Sequence, residues 1–217
     1  MTSPTNTLSR QTIASLVTVF SMALFLLAAL AVLVTTGSTS ATDSSILLWI
    51  YEHSTSQLDA FFLFVTNLGG VVAITTASLL LLAYLVFKKR YYKAALLVAG
   101  VGGVAAINFL LKIIFERPRP DLWEWLITET QFSFPSGHAS ASSALALCIV
   151  VMLWNTKWRV ASIIIAALYI VVIGVSRLYL GVHFPTDILG GWLVSTAVVS
   201  LVTLVLYRYT QKRKTIS

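Results

Sequence analysis

Three short stretches of this 217-residue chain hold cations, imidazoles and a carboxylate at spacings suited to phosphate chemistry. Lys112 precedes Arg119-Pro120 by six intervening residues, Pro135-Ser136-Gly137-His138 is continuous, and Ser176-Arg177 leads through His183 to Asp187. His183 and Asp187 are four apart with Pro185 between them, a residue suited to a first helical turn, so their side chains share one helix face. A carboxylate that accepts the imidazole Nδ1–H fixes the tautomer and leaves Nε2 a lone pair for attack. Ser136, Gly137 and the free N–H groups of a helix start form an anion site, and glycine lets the backbone approach a ligand closely. Lys112, Arg119 and Arg177 repel one another and lose hydration together, which is tolerable only if an anion joins them. A phosphate with about two negative charges is such an anion. Each stretch alone has a plainer reading: a structural His–Asp hydrogen bond, an ordinary capped turn with a wetted His138, or one snorkelling cation per helix end. That plainer reading is kept for Arg117, which stands outside the pattern.

The elements that must position these residues are membrane spans. A composition of 58% hydrophobic and 11% charged residues, with a mean hydropathy of +0.87, exceeds what one soluble core of this size can hide. About 20 apolar residues cross the hydrocarbon layer, and six stretches qualify: 12–35, 62–87, 91–115, 137–154, 160–179 and 185–207. The fold class expected is all-α, a six-transmembrane-helix bundle forming one domain over 1–217. A short interfacial helix is expected at Ile46 to Tyr51 in the first outer loop, with Trp49 and Tyr51 at headgroup level. The first apolar run precedes Gly37-Ser38-Thr39-Ser40-Ala41, which resembles a cleavage site, but it is too long for a signal-peptide core and is expected to remain as a span.

The net charge of +7 does not indicate nucleic acid, because the cations are distributed by topology. Arg10, the cluster Lys88 to Lys93, Lys157 with Arg159, and Arg208 to Lys214 mark the N-terminus, alternate turns and the C-terminus as cytoplasmic. The acids, including Asp43, Glu52, Glu116, Glu129 and Asp187, fall in or beside the opposite loops. There the only cations are Lys112, Arg117, Arg119 and Arg177, and all three chemical stretches share that outer interface. Gly69 and Gly70, and Gly100, Gly102 and Gly103, are expected to serve close helix packing. In the outer loop from Glu116 to Pro135, prolines stop the helix and the aromatics are expected among lipid headgroups. His53, Glu52 and Glu116 are expected to be ordinary solvated residues. The lone Cys148 excludes an intrachain disulfide, and no cluster has metal-ligand spacing.

In residue type, spacing and order the three stretches resemble the signature of the type 2 phosphatidic acid phosphatase superfamily, over Lys112 to Asp187, and the six-span layout resembles its membrane branch. That resemblance implies His183 as the nucleophile forming a phosphohistidine, Asp187 as its orienting carboxylate, and His138 as the acid that protonates the departing alkoxide. It implies Lys112, Arg119, Ser136, Gly137 and Arg177 as the phosphoryl-oxygen ligands, with no metal and no cofactor.

The function expected is hydrolysis of a terminal phosphate from phosphatidylglycerophosphate, phosphatidic acid or undecaprenyl pyrophosphate at the outer leaflet of a bacterial cytoplasmic membrane. The partners are then a phospholipid or prenyl-phosphate substrate and the bilayer, with neither nucleic acid nor an obligatory protein partner. A phosphotransferase with the same phosphohistidine remains open. A lipid-phosphate transporter requires charges deeper in the membrane and on both sides of its midplane, which no span carries.

Overall fold

The computed structural model describes residues 10–216, and among them every regular element is helical. In chain order these are α1 (Arg10–Thr35), α2 (Ser40–Glu52), α3 (Ser56–Leu68), α4 (Val71–Phe87), α5 (Tyr91–Phe115), α6 (Gly137–Leu153), α7 (Arg159–Tyr179) and α8 (Pro185–Ile216). Four of them, α1, α5, α7 and α8, are long and apolar enough to cross a membrane, and α3 with α4 makes a fifth when the bent pair is one span. Side chains such as Phe25, Val72, Phe87 and Ile165 present apolar surface outward, as hydrocarbon contact requires. The protein is therefore a helical membrane protein.

The predicted continuous helix over 62–87 is interrupted. Gly69 caps α3 and Gly70 starts α4, with a bend of 41° between the two helices. Packing explains Gly69, where a Cβ would lie 2.5 Å from Ile173 Cγ2 of α7, whereas one on Gly70 would make only ordinary contacts, 3.5 Å from His138 Nε2. The expected close packing also holds at Gly100, where a Cβ would meet Cys148 Sγ at 2.6 Å, but not at Gly102, which faces open space.

The short surface helix expected at Ile46 to Tyr51 is a 13-residue helix, α2, that packs against α7 and α8. Leu47 is fully buried in that contact and Asp43 is 1% exposed, while Trp49 faces outward.

Helix α6 is the centre of the bundle, packed against α5, α7 and α8, while α1 lies along α8. Its small residues, Ala139, Ser140, Ser142, Ser143 and Ala144, are all buried, and they let the neighbouring helices close in. Ser140 and Ser143 return their hydroxyls to carbonyls one turn back, at Ser136 and Ala139, so these two α6 hydroxyls are satisfied within their own helix. The consequence for function is positional. The C-terminal ends of α5 and α7 and the N-terminal starts of α6 and α8 meet at one end of the bundle, where Ser136 N–H donates to Asp187 C=O at 3.0 Å.

Candidate active site

The three sequence stretches converge. Helix α8 starts at Pro185 as expected, and Asp187 Oδ2 reaches back to accept from Phe184 N–H at 2.8 Å, which satisfies a donor that a helix start leaves without a partner. The same oxygen lies 3.3 Å from His183 Nδ1 and accepts a short hydrogen bond from Ser133 Oγ. On the other side of the ring, Arg119 Nη1 is 3.1 Å from His183 Nε2. A guanidinium only donates, so this contact assigns Nε2 as the unprotonated nitrogen and leaves the Nδ1–H directed at the carboxylate. Burial is the main cause that pushes the His183 pKa down to about 3, against the opposing pull of Asp187. The ring is thus neutral, with its Nε2 lone pair accepting from the Arg119 guanidinium.

A cavity of about 420 Å³ opens in front of this ring, lined by Lys112, Arg119, Gly137, His138 and His183 among the predicted residues. Ser136, Arg177 and Asp187 are buried and are not among its lining residues. Ser136 is the N-cap of α6, its hydroxyl accepting from Ala139 N–H at 3.4 Å. Asn108 of α5 braces this corner by donating to Ser140 Oγ at 2.8 Å and Pro135 C=O at 3.2 Å. The cavity also carries apolar lining, including Val71 and Phe109, which are 80% and 58% exposed on the outer surface of the bundle.

The predicted cations are held mainly by the loop between α5 and α6, with help from α3 and the α7–α8 turn. Lys112 Nζ donates to Phe132 C=O through a short contact, and Arg119 donates to the carbonyls of Gln131 and Val182 at 2.8 and 2.7 Å. The anion that joins them is internal. Glu129 bridges Arg119 at 3.1 Å and Arg177 through a shorter contact. Burial tends to raise the Glu129 pKa, but Arg177 and Arg119 outweigh it and hold the carboxyl below its ordinary value. For Arg119 burial is the dominant influence, and it lowers the pKa against the pull of Glu129 and Asp187. Arg177 also donates to Thr66 Oγ1 at 2.7 Å, while its Nε is buried with no hydrogen-bond partner among the described residues.

Two expectations are corrected here. Arg117 does not snorkel alone at a helix end: it binds Asp187 Oδ1 at 2.6 Å and Asp43 Oδ2 at 2.9 Å, because both carboxylates are buried and each needs a partner. The aromatics of the outer loop are not all directed to lipid headgroups. Trp123 stacks on Tyr51 at 4.6 Å and fills the space over Gly181, where a Cβ would come within 2.7 Å.

Glu129, Ser133, Asn108, Thr66 and Asp43 were not anticipated as part of this site. For Glu129 a signal existed, since three cations in one dry pocket require an anion even without a ligand. Asp43 lies 74 residues from Arg117, and nothing local in sequence links them.

Comparison with known proteins identifies the family. The sequence model of the PAP2 superfamily matches residues 92–211. The chain is 34% identical over 133 residues to phosphatidylglycerophosphatase B of Bacillus subtilis, covering 59% of this chain and 65% of that relative, just under two thirds of its length. It is 32% identical over 150 residues to the undecaprenyl-diphosphatase BcrC of Bacillus subtilis, covering 66% of this chain and 72% of the relative. Among solved structures, the transmembrane PAP2-type phosphatidylglycerolphosphate phosphatase from Bacillus subtilis superposes with a TM-score of 0.80 at 27% identity, over 89% of this chain and 96% of that one. Aquifex aeolicus LpxE superposes with a TM-score of 0.62 at 26% identity, over 76% of this chain and 95% of that one. With the family pattern matched from α5 through α8, the chain belongs to the PAP2 superfamily.

Proposed function

We propose that the chain is a single membrane domain, residues 1–217 with its chemical core at 112–187, that removes the terminal phosphate of a membrane lipid through a phosphohistidine on His183. The observation that carries this reading is the His183 ring itself: neutral, buried, clamped between Asp187 and Arg119, with its unprotonated nitrogen at the wall of a cavity that also holds His138 and Lys112. That nitrogen is released for attack when Arg119 turns its N–H to a phosphoryl oxygen. In the first step His183 Nε2 bonds to phosphorus and the ester or anhydride P–O bond breaks. His138 gives its proton to the departing oxygen. In the second step water attacks phosphorus, His138 takes its proton, the N–P bond breaks, and inorganic phosphate leaves with His183 restored. A dianionic phosphate beside His138 favours the protonated ring that the first step needs.

Lys112, Arg119 and Arg177 hold the phosphoryl oxygens, assisted by Ser136 and Gly137 at the start of α6. The phosphate displaces the Glu129 carboxylate, and the vacant Arg177 Nε then finds an acceptor. Names borne by the relatives, phosphatidylglycerophosphatase B and undecaprenyl-diphosphatase, support a lipid monophosphate or prenyl diphosphate as substrate. The apolar lining at Val71 and Phe109 supports a substrate whose tail remains in hydrocarbon.

Six crossings follow if α3 with α4 forms one broken span and α6 another. At 17 residues, or about 25 Å by helical rise, α6 is shorter than the layer of about 30 Å, which is acceptable because it is enclosed by its neighbours. The inner turns carry Lys88, Lys89, Arg90, Lys157 and Arg159. Those cations support a reading in which both termini lie on the cytoplasmic side of a bacterial inner membrane, with the site at the outer leaflet and α2 along the outer interface.

The test is phosphate release from dioctanoyl phosphatidic acid, phosphatidylglycerophosphate and undecaprenyl pyrophosphate in detergent, with a chelator present. His183→Asn and His138→Ala each lower release by about a thousandfold or more, and acid-labile phosphate on the wild-type protein is absent from His183→Asn. Undiminished release by either variant overturns the proposal, and a phosphorylated alcohol in place of inorganic phosphate identifies a transferase.

A further inference from the structure

Behind the His183–Asp187 pair lies a second layer of charge that the three motif stretches do not include. Arg117, between motif residues Lys112 and Arg119, directs one guanidinium nitrogen to Asp187 Oδ1 at 2.6 Å and the other to Asp43 Oδ2 at 2.9 Å. The Phe184 ring covers the guanidinium, 4.2 Å from its centroid. Asp43, on α2, also accepts from Thr186 Oγ1 at 2.7 Å and Thr186 N–H at 3.2 Å. One carboxylate thus grips both Arg117 and the backbone at the start of α8, one residue before Asp187.

We propose that Asp43 and Arg117 are positioning residues that act through Asp187 to aim and electrostatically support the His183 nucleophile. The charge balance gives the reason. Asp43, Arg117 and Asp187 sum to one negative charge in a dry site. Formation of the N–P bond at Nε2 turns the neutral imidazole, still protonated at Nδ1, into a cation. That cation needs the uncompensated negative charge, and Asp43 preserves it by sharing Arg117. Without the Asp43 charge, Arg117 neutralises Asp187 and the developing imidazolium loses its counter-charge. The geometry is divided accordingly. Arg117 takes Oδ1 of Asp187, leaving Oδ2 to Ser133, Phe184 N–H and His183 Nδ1, so the carboxylate cannot rotate away from the ring. Outer partners of this kind around a reacting group change activity by about 10- to 100-fold when removed.

This inference rests on the phosphohistidine reading above, and the experiment separates the two. Asp43→Asn, Arg117→Lys, Arg117→Met and the exposed-site control Glu124→Gln are assayed in detergent with dioctanoyl phosphatidic acid. The readouts are kcat, KM, orthovanadate inhibition and thermal melting. Asp43→Asn is expected to lower kcat about 10- to 100-fold, with KM and vanadate inhibition within about twofold, since neither residue lines the cavity. Arg117→Lys, which keeps the charge but not the fork, should retain more activity than Arg117→Met. Unchanged kcat in Asp43→Asn, or a parallel loss of vanadate inhibition and melting temperature, overturns the positioning role. If Asp43→Asn does not fold, the order of the two Arg117 variants decides: equal activities overturn the proposal and the expected order supports it. A wild-type protein that forms no phosphohistidine defeats the underlying reading instead.

Discussion

Helix α6 borders two cavities of similar size and opposite character. Its start, Gly137, His138, Ser140 and Ala141, lines the charged cavity of about 420 Å³, whereas Leu145, Ala146, Ile149 and Leu153 line another of about 480 Å³ shared with α4 and α7. The second is bounded by Ala77, Trp158, Ile165 and Tyr169 and holds no charged side chain. Volume therefore does not distinguish them. The difference is what the connecting segments deliver: the long α5–α6 loop brings Arg119 and Glu129 to one, and the short α6–α7 turn brings only Trp158 to the other. Among the described residues, the buried charged groups gather at the end where four helix termini and one long loop meet.

That contrast can be broken most sharply at Arg177. Arg177→Met leaves Glu129 with one cation, and removing one partner of a buried pair costs about 3–5 kcal/mol, so the double variant Arg177→Met/Glu129→Gln serves as the folding control. Both are expected to lose about a hundredfold in kcat/KM for phosphatidic acid. Activity within tenfold of wild type would place the phosphate elsewhere. A subtler change comes from Glu129→Gln alone, which removes the internal competitor for the two guanidiniums. KM and the inhibition constant for orthovanadate should each fall by about three- to tenfold with kcat retained, since a ligand's apparent affinity is reduced by the fraction of sites not open to it. A raised KM would show instead that Glu129 preorganises the cations. The smallest effect is expected in the other cavity. Ala166→Leu fills apolar space and should leave kcat and KM within about twofold while keeping the melting temperature, because added methylenes are costly only where space is lacking. A large loss of activity there would mean that the two cavities act together.

Much of this was readable from spacing. The His183–Asp187 contact follows from helical periodicity around Pro185, and the meeting of all three stretches was expected from their shared place at the ends of apolar runs. Starts and ends of α5, α6 and α7 agree with the predicted spans to within a residue. The break at Gly69–Gly70 was not evident, because hydropathy runs through it without interruption and the close approach at Gly69 comes from Ile173 on another helix. Asp43 escaped notice for a similar reason: a single acid in the first turn of a surface-like helix carries no local mark of a partner far along the chain. Arg117 was misread because one more cation at a helix end is chemically ordinary, and only tertiary contact shows both of its nitrogens engaged by carboxylates. Each of these omissions is a long-range pairing without a sequence period.

The outward-facing Val71 and Phe109 at the cavity wall have a kinetic corollary. A pocket that opens sideways into hydrocarbon samples its reactant from a two-dimensional solution, so for the proposed reaction the governing variable is mole fraction in the lipid plane. Turnover should then be insensitive to added aqueous volume and should decline as inert lipid is mixed into the same bilayer.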